Sequence, residues 1–175
     1  MRMTVLLLAG IAAIGMIAGA SAEEKKAPVV VMETSMGNIE IELYADKAPE
    51  TVKNFLAYVE DKFFDGTIFH RVMNGFMIQG GGMTPDMAEK ATKPPIKNEA
   101  NNGLKNDIGT IAMARIGGLT NSATSEWFIN LTNNAFLDSV DGGFTVFGRV
   151  VKGTNVLERF NDVSPTNGIF RINIG

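Results

Sequence analysis

The sequence predicts a mainly β domain, a sandwich or a closed barrel, accompanied by two short helices. Eight short apolar segments follow one another along the chain, separated by Gly, Asn and Asp clusters. That density is expected of antiparallel strands joined by tight connections. Only two stretches carry apolar residues at helical spacing. At 175 residues the chain is one domain's worth, enough to bury roughly two-thirds of the surface exposed by its unfolded form.

Residues 1–22 read apart from the rest. Arg2 gives a positive start, Val5 to Ala18 is an apolar run punctuated by Gly10 and Gly15, and Ala20-Ser21-Ala22 supplies a small-residue cleavage site. This is the pattern of a cleaved secretory signal peptide. The run falls short of the roughly 20 residues that span a bilayer, and no basic stop-transfer cluster follows, so no stable membrane anchor is expected. A charged linker covers residues 23–28, and the domain occupies 29–175.

Val29 to Thr34 is rich in β formers, Ser35-Met36-Gly37-Asn38 is a turn sequence, and Ile39 to Leu43 alternates strictly, which predicts a hairpin. Pro49 stands where a first helical turn tolerates it, and Val52, Phe55, Leu56 and Val59 share a face, predicting a helix from Pro49 to Glu60. The remaining strand candidates are Thr67 to Val72, Phe76 to Gln79, Thr110 to Ala114, Trp127 to Leu131, Thr145 to Val150 and Phe170 to Ile174. A second helix is predicted from Thr154 to about Phe160, through Val156, Leu157 and Phe160. The stretch Gly80 to Asn106 reads as loops, and loops of that length in a compact domain carry function or support it.

Composition removes several function classes. Without residues 1–22 the chain keeps 15 basic and 19 acidic residues, a net charge of −4. Nucleic-acid binding, which rests on Lys and Arg neutralising phosphates, is not expected. There is no Cys and one His, so thiol chemistry, disulfides, attachment through a lipidated Cys and a structural zinc site of the usual N/S kind are all excluded. Gly80-Gly81-Gly82 lacks the Lys-Ser or Lys-Thr of a phosphate cradle and opens no helix, and reads as a permissive turn.

The most informative stretch is Phe69-His70-Arg71-Val72-Met73-Asn74-Gly75-Phe76-Met77-Ile78-Gln79-Gly80-Gly81. It sets one permanent cation and one amide among apolar side chains, with no nucleophile. Arg71 carries five donors in a rigid plane, and Gln79 offers both a donor and an acceptor. Such a site can bind and polarise, but cannot attack. This run resembles the substrate groove of the cyclophilins, the peptidyl-prolyl isomerases. The resemblance continues in Gly109 to Ala114, Trp127-Phe128-Ile129-Asn130, Asn134 to Asp138 and Val146 to Gly153, covering nearly all the chain after the first three dozen residues.

The resemblance implies a closed eight-stranded antiparallel β-barrel capped by two α-helices. It also implies a reaction, cis/trans isomerisation of X-Pro bonds. The barrier is roughly 18–20 kcal/mol because the amide lone pair is delocalised, and a donor aimed at the prolyl nitrogen favours the twisted form over the planar one. Acceleration from tens of seconds to milliseconds is roughly 10⁴-fold, or about 5.5 kcal/mol, within reach of one charge-assisted hydrogen bond plus positioning in a dry site. By resemblance, Arg71 meets the prolyl nitrogen and Gln79 orients Arg71 and the substrate. Phe76, Met77, Phe128 and Leu137 form the proline pocket, and the main chain at Ala114 and Arg115 holds the residues before proline. His70 has no partnered Ser or Cys and is read as structural.

Four groove positions depart from the best-known pattern of the family. Arg115 stands where Asn is common, Glu126 where Gln is usual, Phe136 where Trp is found, and Phe144 where His or Tyr lines the groove. Phe136 is typical of bacterial periplasmic cyclophilins and implies weak binding of cyclosporin. Glu126, facing the groove, is expected to pair with Arg71 and divert a donor from substrate. The resulting expectation is a monomeric periplasmic isomerase acting on proline-containing unfolded or partly folded polypeptides, without cofactor or metal. Full secretion is the second location, and a non-catalytic proline-peptide-binding chaperone or adaptor is the second function.

Overall fold

A computed structural model of the chain describes residues 2–5, as backbone, and 27–162. Eight strands form one antiparallel sheet. They are β1 (Arg2–Val5), β2 (Val29–Thr34), β3 (Gly37–Leu43), β4 (Phe69–Met73), β5 (Met77–Gly80), β6 (Thr110–Met113), β7 (Trp127–Asn130) and β8 (Val146–Lys152), in the spatial order β1-β2-β3-β8-β6-β7-β5-β4. Two α-helices, α1 (Pro49–Glu60) and α2 (Thr154–Asp162), complete the mainly β architecture. The edge strands β1 and β4 do not pair with one another among the described residues. The expected strand Phe170 to Ile174 lies outside those residues. The eighth strand is instead Arg2–Val5, whose backbone lies along the outer edge of β2 with Arg2 opposite Glu33 and Val5 opposite Val30, covering donors and acceptors that an open edge would expose.

The β2–β3 hairpin turns at Ser35 and Met36. Thr34 Oγ1 donates to the Gly37 carbonyl at 2.7 Å and accepts from the Met36 N–H at 3.1 Å. Gly37 sits at φ 123, a conformation that disfavours any side chain. Helix α1 buries Thr51, Val52, Phe55, Tyr58 and Val59, and α2 buries Val156, Leu157 and Phe160. Both faces pack on the inner face of the sheet, in one core with Ile39, Ile41, Phe69, Ile111, Trp127 and Phe147. Its aromatic rings meet edge to face or tilted, with Phe69–Phe160 centroids 4.9 Å apart and Phe55–Phe147 5.2 Å, the arrangement favoured by the ring quadrupole.

Helix α1 has no local cap, because Ala48 precedes it. Its first amides are satisfied from far along the chain. Glu99 accepts from the Glu50 and Thr51 N–H groups at 3.2 and 2.8 Å, and from Thr51 Oγ1 at 2.7 Å. A carboxylate here meets both the orphan donors and the positive end of the helix dipole. The Glu99 N–H in turn donates to Thr145 Oγ1 at 2.9 Å. The loop between β5 and β6 is therefore tied at once to α1 and to the approach to β8.

Candidate active site

A core spacing fixes where Arg71 points. Phe69 and Val72 both reach the inner core, three residues apart where a regular strand alternates by two. The mismatch is absorbed by a register shift in β4 against β5, between the pairs Phe69↔Gly80 and Arg71↔Gln79. Bulges of this kind re-aim a side chain. Arg71 is exposed, on the outer face directly across from Gln79. Gln79 pairs in turn with Phe128, Phe128 with Ala112, and Ala112 with Val146, so one row of side chains crosses five strands.

Beside that row lies a second apolar cluster on the outer face of the sheet. Met77, Ala112, Phe128, Leu137 and Val146 are buried in it, with Met73, Phe76, Leu104, Ala114 and Phe144 packed against them. All four residues read as the proline pocket, Phe76, Met77, Phe128 and Leu137, meet here, together with Ala114 and Phe144. Phe136 is exposed and stacks on Phe76, with centroids 5.8 Å apart and planes at 21°. Phe128 and Phe144 meet edge to face at 5.8 Å.

Beneath the cluster runs a buried polar network that carries no sequence-derived assignment. Asn130 donates to Thr110 Oγ1 at 2.9 Å and to Asn106 Oδ1 at 3.3 Å, while Asn134 donates to Asn130 Oδ1 at 2.7 Å and to the Phe76 carbonyl at 3.0 Å. Asn106 donates to Asp138 Oδ1 through its N–H and its side chain, at 2.8 and 2.9 Å. Burial works to raise the Asp138 pKa, but the bonds from Asn106 and the charge of Lys105 outweigh it and hold it below the usual value. The network fixes Phe76, Leu137 and Phe144 from below. The run Asn130 to Asp138 is the signal that could have located it, since Asn so dense in a buried segment must bond to something. In the loop between β5 and β6, Asn98 and Asn102 likewise donate to the Gly143 and Val146 carbonyls at 2.9 Å each.

The four departures occupy three places, of which Phe136, stacked on Phe76, is one. Arg115 donates to the carbonyls of Gly143 at 3.1 Å and of Val140 and Asp141 at 2.9 Å each, and lies 4.3 Å over the Phe144 ring. Arg115 and Phe144 are thus partners, and the guanidinium clasps a loop in which Asp141 is held at φ 51. Glu126 does not pair with Arg71 as expected. Its Oε2 accepts from Gln79 Nε2 at 2.8 Å and lies 3.7 Å from His70 Nε2, and among the described residues no ion pair involves Arg71. The cause lies in the backbone around it. A Cβ on Gly82 would stand 2.6 Å from Glu126 Oε1, so the bare glycine leaves the space into which this carboxylate folds, toward Gln79 and His70.

Two chemical consequences follow. With its N–H₂ committed to Glu126, Gln79 presents its carbonyl oxygen to Arg71 or to a substrate N–H. Burial lowers the His70 pKa, Glu126 opposes the shift and Arg71 adds to it. The net shift is downward, so the imidazole is neutral near pH 7 and its contact with Glu126 is not an ion pair. Among the described residues no group of three or more His, Asp or Glu side chains could hold a metal, and no helix is long and apolar enough to cross a membrane.

Comparison with known proteins agrees with this geometry. The family "Cyclophilin type peptidyl-prolyl cis-trans isomerase/CLD" matches residues 29–173. The chain is 55% identical over 140 residues to peptidyl-prolyl cis-trans isomerase A of Dickeya dadantii, covering 79% of this chain and 73% of the relative. It is 54% identical over 141 residues to peptidyl-prolyl cis-trans isomerase B of Escherichia coli, covering 78% and 85%. Among solved structures, a cyclophilin type isomerase of Cryptosporidium parvum in the presence of the dipeptide Ala-Pro superimposes with a TM-score of 0.72 at 26% identity, over 83% of this chain and 92% of that one. An Arg facing out beside an apolar pocket, a curled antiparallel sheet and more than half of the aligned residues shared with bacterial isomerases lead to one conclusion: the chain belongs to the cyclophilin-type peptidyl-prolyl cis-trans isomerases.

Proposed function

We propose that Arg71 drives the isomerisation by donating to the prolyl nitrogen while the ring sits among Phe76, Met77, Phe128 and Leu137. The observation that carries this reading is the cross-strand row. Arg71 is exposed, free of any ion pair among the described residues, and in register with Gln79 and Phe128. A guanidinium with unspent donors at the rim of a dry pocket is poised to stabilise the twisted amide more than the planar one. Gln79, its N–H₂ donating to Glu126, has its carbonyl oxygen left to accept from Arg71 across the strand pair or from the substrate. Ala114 and Arg115 flank the groove where the residues before proline lie.

The setting we infer is the bacterial envelope, reached through removal of residues 1–22, which takes β1 with it and leaves seven strands of the sheet, with a monomer acting on exported, partly folded chains and binding cyclosporin weakly. This rests on the leader-like sequence and, for cyclosporin, on Phe136. The adaptor reading is the weaker one, because the Arg115 and Glu126 departures, which could have disabled the groove, are bonded away from Arg71. Arg115 is bonded to the loop before β8, and Glu126 leaves Arg71 free.

The test is isomerisation of an Ala-Pro peptide by the wild type and by Arg71→Ala. A fall in kcat/KM of at least roughly 100-fold is expected, the scale for loss of one aimed donor, with an unchanged circular dichroism spectrum. A variant retaining most of the activity would remove Arg71 from the mechanism. Export is checked separately, by whether protein recovered from a bacterial periplasm begins at Glu23.

A further inference from the structure

One strand of the sheet belongs to the leader. Residues 2–5 lie along the outer edge of β2, with Arg2 opposite Glu33, Met3 opposite Met32, Thr4 opposite Val31 and Val5 opposite Val30. Val30 and Met32 are fully buried in the core, while Val31 and Glu33 are half-buried. A segment that fits this edge needs an apolar residue at every second place, and an Arg set opposite Glu33 is favoured by charge. Arg2-Met3-Thr4-Val5 meets that requirement. One other stretch of the chain repeats the pattern of Arg, apolar, polar, apolar, and it is Arg171-Ile172-Asn173-Ile174. Removal of residues 1–22 takes β1 away, and alternate residues of β2 then turn their N–H and C=O groups to an edge without a partner.

Helix α2 aims the second stretch at the same edge. Arg159 donates to the Met36 carbonyl in the β2–β3 turn, and Asn161 Oδ1 accepts from the Gly75 N–H in the β4–β5 turn at 2.8 Å. The last turn of α2 therefore lies at the end of the sheet where β2 finishes. An antiparallel strand in the register of β1 begins at that end, opposite Glu33. Residues 163–169 include Pro165, Asn167 and Gly168, which favour a reversal. Seven residues between α2 and the stretch reach up to roughly 23–25 Å when extended, several times the spacing between neighbouring strands. We propose that the outer edge of β2 accepts a strand from its own chain, and that residues 170–174 take it, with Arg171 opposite Glu33, once residues 1–22 are removed. The leader and this segment exclude one another, so cleavage changes which of them completes the sheet. The proposal rests on the reading of residues 1–22 as a cleaved leader and goes beyond it, to what cleavage does to the fold.

The chain contains no Cys, so a disulfide can join only cysteines that are introduced. The experiment compares two purified forms, the full chain made in a cell-free system without membranes and the chain that begins at Glu23. Glu33→Cys with Arg171→Cys is expected to oxidise to an intramolecular disulfide in the shorter form, because directly opposed residues of an antiparallel pair stand at the Cα separation a disulfide needs. In the full chain the same pair should oxidise on the order of tenfold more slowly, since the edge is open only in the molecules whose leader has vacated it. Arg2→Cys with Glu33→Cys should oxidise readily there. Equal rates for the 33–171 pair in the two forms, no such disulfide in the shorter form, or a disulfide-linked dimer in its place would each overturn the proposal, and the dimer would assign the edge to a second copy. Hydrogen exchange of residues 29–34 decides even if the cysteine variants do not fold. Ile172→Pro, which removes a donor from a paired strand, should speed that exchange on the order of tenfold in the form beginning at Glu23 and leave the full chain unchanged. No acceleration in the shorter form would likewise end the proposal. Recovery from cells of a chain that keeps residues 1–22 would end the leader reading alone, since both pairings are judged on the purified forms.

Discussion

His70 lies beside the row from Arg71 to Val146 without belonging to it, at the bulge that turns Arg71 outward. Burial, the largest influence, lowers its pKa below the free value of 6.5, Glu126 opposes this, and Arg71 adds to it. The unfolded chain therefore takes up a proton at a higher pH than the folded one, and folding stability falls as the proton is bound. This group's contribution is complete above about pH 6.5 and is lost as pH drops through the window beneath it. Thermal midpoints measured on both sides of that value should show wild type losing more stability on acidification than His70→Gln. Matching slopes would mean that His70 is not held neutral. The same residue shows how a local sequence can mislead. Thr67 to Val72 reads as one plain strand, yet the apolar pair Phe69 and Val72, three apart, already announced that the strand could not be regular.

At the scale of elements, most of the architecture was legible and its fastenings were not. The hairpin, both helices and the strand segments from Val29 to Val150 follow from period-two and helical patterning, because burying one face of each element leaves a local record. The anchors are non-local. Glu99 lies 48 residues from Thr51, whose N–H it accepts, and nothing around Ala48 says where the missing cap comes from. Removing it should be felt at once: Glu99→Ala is expected to destabilise the fold by about 1–2 kcal/mol, the worth of a cap plus a charge at a helix start. Urea denaturation monitors this as a lower midpoint with an unchanged slope, and an unaltered midpoint would show that α1 does not depend on the distant carboxylate. The pocket residues divide in the same way. Phe76, Met77, Phe128 and Leu137 came from motifs quoted together, whereas the Asn106, Asn130 and Asn134 network joins three segments that no single window contains.

For the whole molecule, the inner core turns on Trp127, the chain's one Trp, fully buried with Phe64 and Phe69 meeting it edge to face at 6.2 and 5.6 Å. Its Nε1 is buried without a hydrogen-bond partner among the described residues, and a Cβ on Gly81 would stand 2.7 Å from it. Two costs therefore separate. Trp127→Ala opens a large cavity and should cost about 3–5 kcal/mol, while Trp127→Phe keeps most of the volume, discards an unsatisfied donor and should cost no more than about 1.5 kcal/mol. Calorimetric unfolding of the two variants checks the order, and equal losses would show that shape at this site outweighs volume.

Strand β7 is buried at all four positions. Trp127 and Ile129 belong to the inner core, while Phe128 belongs to the outer apolar cluster proposed as the proline pocket and Asn130 anchors it from below. The floor of the groove and the middle of the core are two sides of one ribbon, hydrogen-bonded on both flanks to β5 and β6. The amide protons along it are therefore expected to exchange for deuterium only through opening of the entire sheet. The floor of the proposed pocket should therefore hold its shape until the fold itself gives way.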